Sequence, residues 1–448
     1  MDGVTPPLEL VRSVEALEGD TPADALAWAC RYLNTDPASW QGLYAAGNSL
    51  LRMGYYGAAY SVFEAGQAKA PLTVNHCLNG MGMCVQQSGD YRGALKLFEQ
   101  ARLANPFDWH SLNNIGLCYL NLGNWEMAES VARQVIEDNP DCGPAYDNLS
   151  MSCLAQHKFA EGWEYAERSI GAPKREERIY DDEVRWDGSH VETVICYGEQ
   201  GIGDEILFSS CIPDLIGAAD NVIVDSKTRR LRGLFERSFP EATVINSKQD
   251  GVEVKGADAR VSMAVLPKFF RTKRELFGKP HLKACPDRRR MVRALLDGLP
   301  GKKVGLAWTG GLPDTRGADR STTFDSLYAD LKDLNATFVS LEYKDADQTR
   351  REIDGTPVRH FPFLTNTQDY DDTAALVAEL DMVVSVTTSG VHLAGGLGVP
   401  VRILVPDPPS WKYGGDGEDF YWWDSAKLIR QQKGEWDLTS VRREIDEG

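Results

Sequence analysis

The nine cysteines include no Cys-x-x-Cys pair, and basic side chains are outnumbered by acidic ones. Without paired cysteines neither a zinc site nor a disulfide framework is expected, so the thiols read as reduced and packed. A run of about 18 apolar residues, the length that would span a membrane, is also missing. The first ten residues, MDGVTPPLEL, lack a basic region followed by an apolar one. No secretory signal is therefore expected, and the chain is assigned to the cytoplasm. The balance of 48 Lys+Arg against 66 Asp+Glu gives a net charge of −18. That argues against nucleic acid as the main partner, because such partners are held by a basic face that neutralises phosphates. Basic clusters at Lys227–Arg237, Lys268–Lys273 and Arg288–Arg293 read as solvated faces.

What is present is repetition. Gly54, Tyr56, Ala59, Phe63 and Pro71 recur as Gly89, Tyr91, Ala94, Phe98, Ala101 and Pro106, then as Gly123, Trp125, Ala128, Ala132 and Pro140. A weaker copy is His157, Phe159, Gly162, Ala166 and Pro173, and a half-copy is Ala25, Ala29 and Pro37. The step of 34 or 35 residues resembles the tetratricopeptide repeat: two antiparallel helices per unit, small residues where they cross, and Pro closing each unit. That implies roughly four repeats plus a leading helix, forming a solenoid with a concave groove. Asn114 and Asn148 hold the same place in successive first helices. Superhelices of the O-linked N-acetylglucosamine transferase kind carry asparagine ladders there to grip peptide backbone, since an amide both donates and accepts. The plainer alternative is an exposed helix face.

Past residue 175 the pattern becomes strand–helix alternation. The charged stretch Gly171–Asp187 reads as a linker or strap. Thr193–Tyr197 is a buried strand, followed by a turn with Gly198, Gly201 and Gly203 and a helix opened by Asp204 that continues to about Leu215. A dinucleotide fingerprint requires another glycine where Ile206 stands. Strands at Asn221–Val224, Thr243–Ile245 and Ala259–Met263, with an Arg-rich helix Thr228–Ser238, complete a first half ending near Pro286–Leu299. A second half opens with Lys302–Trp308 and a Gly-rich loop, and Thr337–Leu341 ends at Glu342. Next come the helix Tyr370–Leu380, the strand Met382–Val386, the turn Thr387-Thr388-Ser389-Gly390, a small-residue helix Val391–Leu397 and the strand Val401–Val405. Ser389 sits where an N-cap belongs, and Gly398 with Pro400 stops the helix. Hydroxyls and a helix N-terminus at the carboxyl edge of a sheet make an anion site suited to phosphate. The alternative is a strand–helix–strand unit whose small residues serve close packing. Trp411, Tyr413, Tyr421, Trp422 and Trp423 crowd the following loop, where they either stack on a ligand or plug a seam between domains.

These motifs resemble the heptosyltransferase-like glycosyltransferases of family 9. In TTSGVHLAGGLGVP the positions Thr388, His392, Leu393, Ala394, Leu397, Gly398 and Pro400 match that family's donor motif, and Thr387 stands where the family carries Asp. GEQGIGDEILF is similar to the family's first-strand segment, which implies Asp204 as general base and Gly201 and Gly203 as the turn that lets acceptor and donor approach. The strand and loop from Val304 imply Arg320, or alternatively Arg316, on the donor phosphate, with the backbone of Thr309 and Gly310 beside it. Glu342 becomes a candidate for the ribose diol, and Thr387, Thr388, Ser389, Gly390 and His392 for the donor diphosphate.

The resemblance implies an α + α/β chain: a tetratricopeptide solenoid (1–175) followed by two Rossmann-like domains (176–297 and 298–448) in a GT-B arrangement. It also implies a nucleotide-sugar-dependent glycosyltransferase that needs neither metal nor cofactor. Its partners would be a nucleotide-sugar donor and a protein or peptide acceptor lying in the groove of Asn114 and Asn148. Two alternatives stand beside it. One is a tetratricopeptide scaffold whose transferase half has decayed; the other is an enzyme acting on a small molecule, a glycan or a hydroxylated nucleobase.

Overall fold

A computed structural model describes residues 6–71, 75–172, 175–311, 317, 319–414 and 416–447. The chain forms two compact units, Met1–Ser152 and Cys153–Gly448.

The first unit is built of antiparallel helix pairs: Trp40–Arg52 with Tyr56–Gln67, His76–Gln87 with Tyr91–Ala104, and Trp109–Asn121 with Trp125–Asp138. Ahead of them Leu8–Glu18 and Pro22–Thr35 make a full pair, where the sequence implies a single leading helix. The repeated glycines Gly54, Gly89 and Gly123 close the turn inside each pair with φ of +81°, +85° and +73°, a region where a side chain is strained. The repeated alanines and phenylalanines Ala59, Phe63, Ala94, Phe98 and Ala128 are buried at the crossings. Gly47 and Gly80 leave room for the Phe63 ring, since a Cβ on either would lie 2.6 Å from it. The buried cysteines carry free thiols, and burial pushes the thiol of Cys77 up to about 11.

The second unit holds two sheets, in both of which every strand pair is parallel. The first has β1 (Val184–Arg185), β2 (Val191–Tyr197), β3 (Ala219–Asp225), β4 (Ala242–Ile245) and β5 (Ala259–Ser262), in the order β1-β5-β2-β3-β4. The second has β6 (Lys302–Ala307), β7 (Ala336–Ser340), β8 (Arg359–His360), β9 (Met382–Val386), β10 (Val401–Val405) and β11 (Ala426–Arg430), in the order β11-β10-β9-β6-β7-β8. β9 and β10 are buried at every position, as expected of strands covered on both faces. The polar exceptions are Ser385, whose hydroxyl donates to Val386 O at 2.7 Å, and Arg402, which is satisfied by Glu444 of the C-terminal helix at 3.1 Å.

Three features correct or narrow the sequence reading. The boundary between units falls after Ser152, inside the helix Gly143–Ala155, and not near 175. The reason lies in the helix Phe159–Arg168: Trp163, 1% exposed, donates its indole N–H to Arg271 O (3.0 Å) and packs edge-on against Phe208, Trp411 and Trp422. Second, of the two readings of Gly171–Asp187, linker or strap, the structure shows the strap. Arg175 Nε donates to Glu199 (3.0 Å), and Arg178 and the Tyr180 hydroxyl donate to Asp225 (3.0 and 2.7 Å). The strap thus caps the carboxyl ends of β2 and β3, the edge where an open α/β sheet otherwise admits ligands. Third, the helix expected from Asp204 to about Leu215 breaks into Ile202–Phe208, a 3-10 turn Ser209–Cys211 and Ile212–Ile216, with Pro213 inside the last piece.

Glu205, next to Asp204 but turned inward, ties this region together. It is 1% exposed, and its carboxylate accepts the Ser226 hydroxyl (2.8 Å) and the Lys227 N–H (2.7 Å). Gly198 makes the space, since a Cβ there would lie 1.9 Å from Glu205 Oε1. Burial raises its pKa to about 7 despite those donors.

Two outcomes follow from this packing. A fragment beginning at residue 153 unfolds cooperatively in denaturant, one beginning at 171 does not, and Trp163→Ala in the full chain costs about 3–5 kcal/mol. A carboxyl raised in the folded state is stabilising below its unfolded pKa, and that stability is lost as pH rises toward about 7. Denaturation curves from pH 5 to 8 therefore decline more steeply for the wild type than for Glu205→Gln.

Candidate functional site

The turn after β9 lies at the carboxyl edge of the second sheet. Thr388, not Ser389, is the N-cap: its hydroxyl accepts the Gly390 N–H at 3.2 Å, and the helix runs Ser389–Leu397. Ser389 is the first helical residue, and its hydroxyl accepts the Tyr370 O–H at 3.0 Å. Gly398, at φ +78°, ends the helix. Further along, the small residues serve packing. A Cβ on Gly395 would lie 2.2 Å from the Trp423 ring, and one on Gly396 would lie 2.8 Å from Leu282.

The N-terminal end of this helix is different. Thr387 is 2% exposed and its hydroxyl has no hydrogen-bond partner among the described residues; His392 is 4% exposed and its Nδ1 has none. A buried polar atom left unpaired costs about 1–3 kcal/mol. Burial, with the Lys412 ammonium nearby, lowers the His392 pKa to about 3, so the ring is neutral. The positive end of the helix dipole points the same way.

The glycine-rich turn of the first sheet meets this end directly. A Cβ on Gly203 would lie 3.2 Å from Ser389 Cα and 3.6 Å from the His392 ring. Gly201 is the extended residue before the helix Ile202–Phe208. Asp204, on the first turn of that helix, is in contact with the Lys412 ammonium. Burial opposes the carboxylate's charge, but Lys412 outweighs it and holds Asp204 below the ordinary carboxylate range. The two turns identified in the sequence therefore face each other and touch.

Arg320 joins them, its guanidinium donating to Thr387 O at 3.1 Å. Arg316, the alternative, lies outside the described residues. Two cations that sequence reasoning did not single out complete the site. Arg230, beyond the carboxyl end of β3, donates to Thr367 O (3.1 Å), lies 5.4 Å from the Tyr370 ring centroid, and keeps a buried Nε with no partner among the described residues. Lys412 comes from the loop after β10. Neither had a spacing signal, because each reaches the site from a loop far away in sequence.

Other candidates have partners of their own. Glu342 is buried and one of its carboxylate oxygens accepts the N–H groups of Trp308 and Thr309, both at 2.8 Å, so it anchors the loop after β6. The Gly310 N–H is donated to the Ser321 hydroxyl at 2.8 Å. The Thr309 and Gly310 amides are thus already engaged within the protein. Gly310 is required for close approach, since a Cβ would lie 2.6 Å from Gly317 O. The loop aromatics plug a seam: Tyr421, Trp422 and Trp423 are buried against Phe159, Phe277 and His281. In the first unit, Asn114 donates to Asn79 (3.0 Å) and Asn148 to Asn113 (3.1 Å), so these asparagines bond one repeat to the next.

Comparison with known proteins supports the first unit. A family model described as tetratricopeptide repeat matches residues 86–151. FlbA of Caulobacter vibrioides is 28% identical over 392 residues, 81% of this chain, and the chain spans 65% of that protein's length. The BBSome complex member BBS4 of Bos taurus is 26% identical over 120 residues, 27% of this chain and 23% of that one. Among solved structures, a thermophilic repeat protein of Thermus thermophilus is 20% identical, covering 37% of this chain and 91% of that chain at a TM-score of 0.34. PilF of Pseudomonas aeruginosa is 14% identical, covering 38% and 76% at a TM-score of 0.34. The chain thus carries tetratricopeptide repeats at its N-terminus, followed by an α/β region with two parallel sheets.

Proposed function

We propose that the second unit is a GT-B glycosyltransferase that moves a sugar from a nucleotide-sugar donor to an acceptor hydroxyl, with the repeats presenting a protein or peptide acceptor. The observation that carries the reading is the pair of buried, unpartnered polar atoms, Thr387 Oγ1 and His392 Nδ1, at the start of the Ser389–Leu397 helix. A diphosphate oxygen placed there would accept from both, gain the helix dipole and lie near Arg320 and Arg230. Asp204 stands opposite, its carboxylate in contact with Lys412 from the loop after β10.

In the reaction the acceptor oxygen bonds to the anomeric carbon as the bond from that carbon to the phosphate oxygen breaks. The bonding pair leaves with the nucleoside diphosphate, and the hydroxyl proton passes to Asp204. The charge appearing on the diphosphate is met by guanidinium groups and the helix end. Because Gly203 and Ser389 touch, the two turns separate to admit the donor.

A scaffold with a decayed transferase half is the second reading, favoured by that closed contact and by Thr387 in place of the family's Asp. Calorimetric titration with a panel of nucleoside diphosphates separates the two, since a scaffold binds none. In the enzyme, Asp204→Asn lowers transfer by about 10²–10⁴-fold while nucleoside diphosphate affinity is kept; unchanged turnover removes Asp204 as the base. His392→Ala combined with Thr387→Val weakens the diphosphate about tenfold or more. A fragment starting at residue 153 that still glycosylates its acceptor assigns a small-molecule substrate instead of a protein.

A further inference from the structure

We infer that Lys412 serves two partners in turn: it neutralises Asp204 in the closed cleft, then moves to the donor's phosphate oxygens, releasing Asp204 to accept a proton only once the donor is bound. The inference rests on the transferase reading and adds to it an order of events.

The argument begins with which groups surround the carboxylate. Asp204 is faced by Lys412 and Tyr413 from the loop after β10 and by His392 from the Ser389 helix, and on its own turn by the Gly201 backbone. His392 is neutral and the Tyr413 phenol, buried, keeps its proton. Lys412 is therefore the positive charge in contact with Asp204. Its ammonium and the Asp204 carboxylate are each about one-fifth exposed, so the attraction is stronger than for a surface pair and the lysine is not locked in a dry core.

The residues on either side of Lys412 are held by packing, whereas its ammonium is held only at its end, by Asp204 and by the Trp411 ring 5.6 Å away among the described residues. Trp411 packs edge-on against Trp163 at 6.0 Å between ring centroids. Tyr413 is buried on Phe420, and its carbonyl accepts from Arg430 at 2.7 Å. Exchange of partners is then a rotation of one flexible side chain, without rearrangement of the loop. The place it would rotate toward lies close by. His392 feels the charges of both Lys412 and Asp204, and its Nδ1, buried with no partner among the described residues, is a group an anion could accept from.

The chemical consequence is a gate. While paired, Asp204 is a poor proton acceptor and Lys412 has no charge to spare. A diphosphate carries more negative charge than one carboxylate and draws the ammonium away. The carboxylate, left half-buried without its counter-ion, becomes more basic. On transfer the acceptor's proton goes to Asp204, the new glycosidic bond forms, and the pair released from the broken bond stays on the diphosphate beside Lys412.

The test uses the full-length chain with inorganic pyrophosphate as probe. Carbon NMR of carboxyl-labelled aspartate, with the Asp204 signal identified by its loss in Asp204→Asn, reads the titration midpoint of Asp204 in the wild type, Lys412→Met and Lys412→Arg. Pyrophosphate is expected to raise the wild-type midpoint by about one pH unit or more. Lys412→Met raises it without any ligand and weakens pyrophosphate at least about tenfold, whereas Lys412→Arg restores both behaviours toward the wild type. An unchanged midpoint in Lys412→Met, unchanged pyrophosphate affinity, or no pyrophosphate binding by the wild type overturns the inference. If sugar transfer occurs yet Lys412→Met leaves the midpoint and the donor KM unchanged, the exchange fails while the transferase reading survives. If the exchange behaves as expected but no nucleotide sugar is turned over, the transferase reading fails instead.

Discussion

The second unit depends on a single apolar seam. Trp422 and Trp423, in the loop after β10, are buried to their edges. On one side they meet Phe208 and Phe277, and on the other His281 and the surface of the Ser389–Leu397 helix that Gly395 keeps open. Trp163 joins from the helix Phe159–Arg168, so one continuous cluster includes residues from that helix and from both sheets. Each fully buried aromatic removes a large apolar area from water. Ion pairs such as Arg288 with Asp369 and Asp372 line the partly exposed rim, where such pairs contribute little.

With the seam in place, the geometry of the cleft follows. Loops leave a parallel sheet at the carboxyl ends of its strands, so the turn after β2 and the turn after β9 both emerge toward the joint. Gly203 has no Cβ because Ser389 occupies that space. The strap Arg175–Glu183 covers the carboxyl ends of β2 and β3 through Glu199 and Asp225. At the turn after β9 the polar groups are unevenly satisfied. Ser389 and Thr388 are paired, whereas Thr387 Oγ1 and His392 Nδ1 are buried with no hydrogen-bond partner among the described residues. Folded chains rarely tolerate that pattern unless a ligand or water completes it.

The repeats obey a simpler logic. Each pair buries its alanines and phenylalanines against the next, and the asparagines at 79, 113, 114 and 148 add hydrogen bonds between neighbours. A ladder that bonds repeats together is a structural use of the same amides that a peptide backbone would otherwise engage.

Much of this was legible from residue order alone. The 34- and 35-residue step located the helix pairs because small residues recur wherever two helices cross. β9, its turn and β10 could be read because β-branched runs, a capping hydroxyl and Gly398 act within a few residues of one another. Asp204 and Arg320 were reached through motif resemblance, and the fold does bring both to the Ser389 turn. The unit boundary was not legible, because Trp163 reads as an ordinary repeat position until Phe208 and Trp422 are packed against it. That the Glu342 carboxylate lies on the Trp308 and Thr309 amides was not legible either. Lys412 and Arg230 carry no local signature, since a long side chain's partner depends on which distant loop folding brings within reach. Sequence by itself determined the elements and the ends of strands where chemistry collects, because capping, periodicity and β-branching are short-range. Which cation faces Asp204, and which amides remain free, only the tertiary structure decided, because electrostatic pairing depends on distance in space and not along the chain.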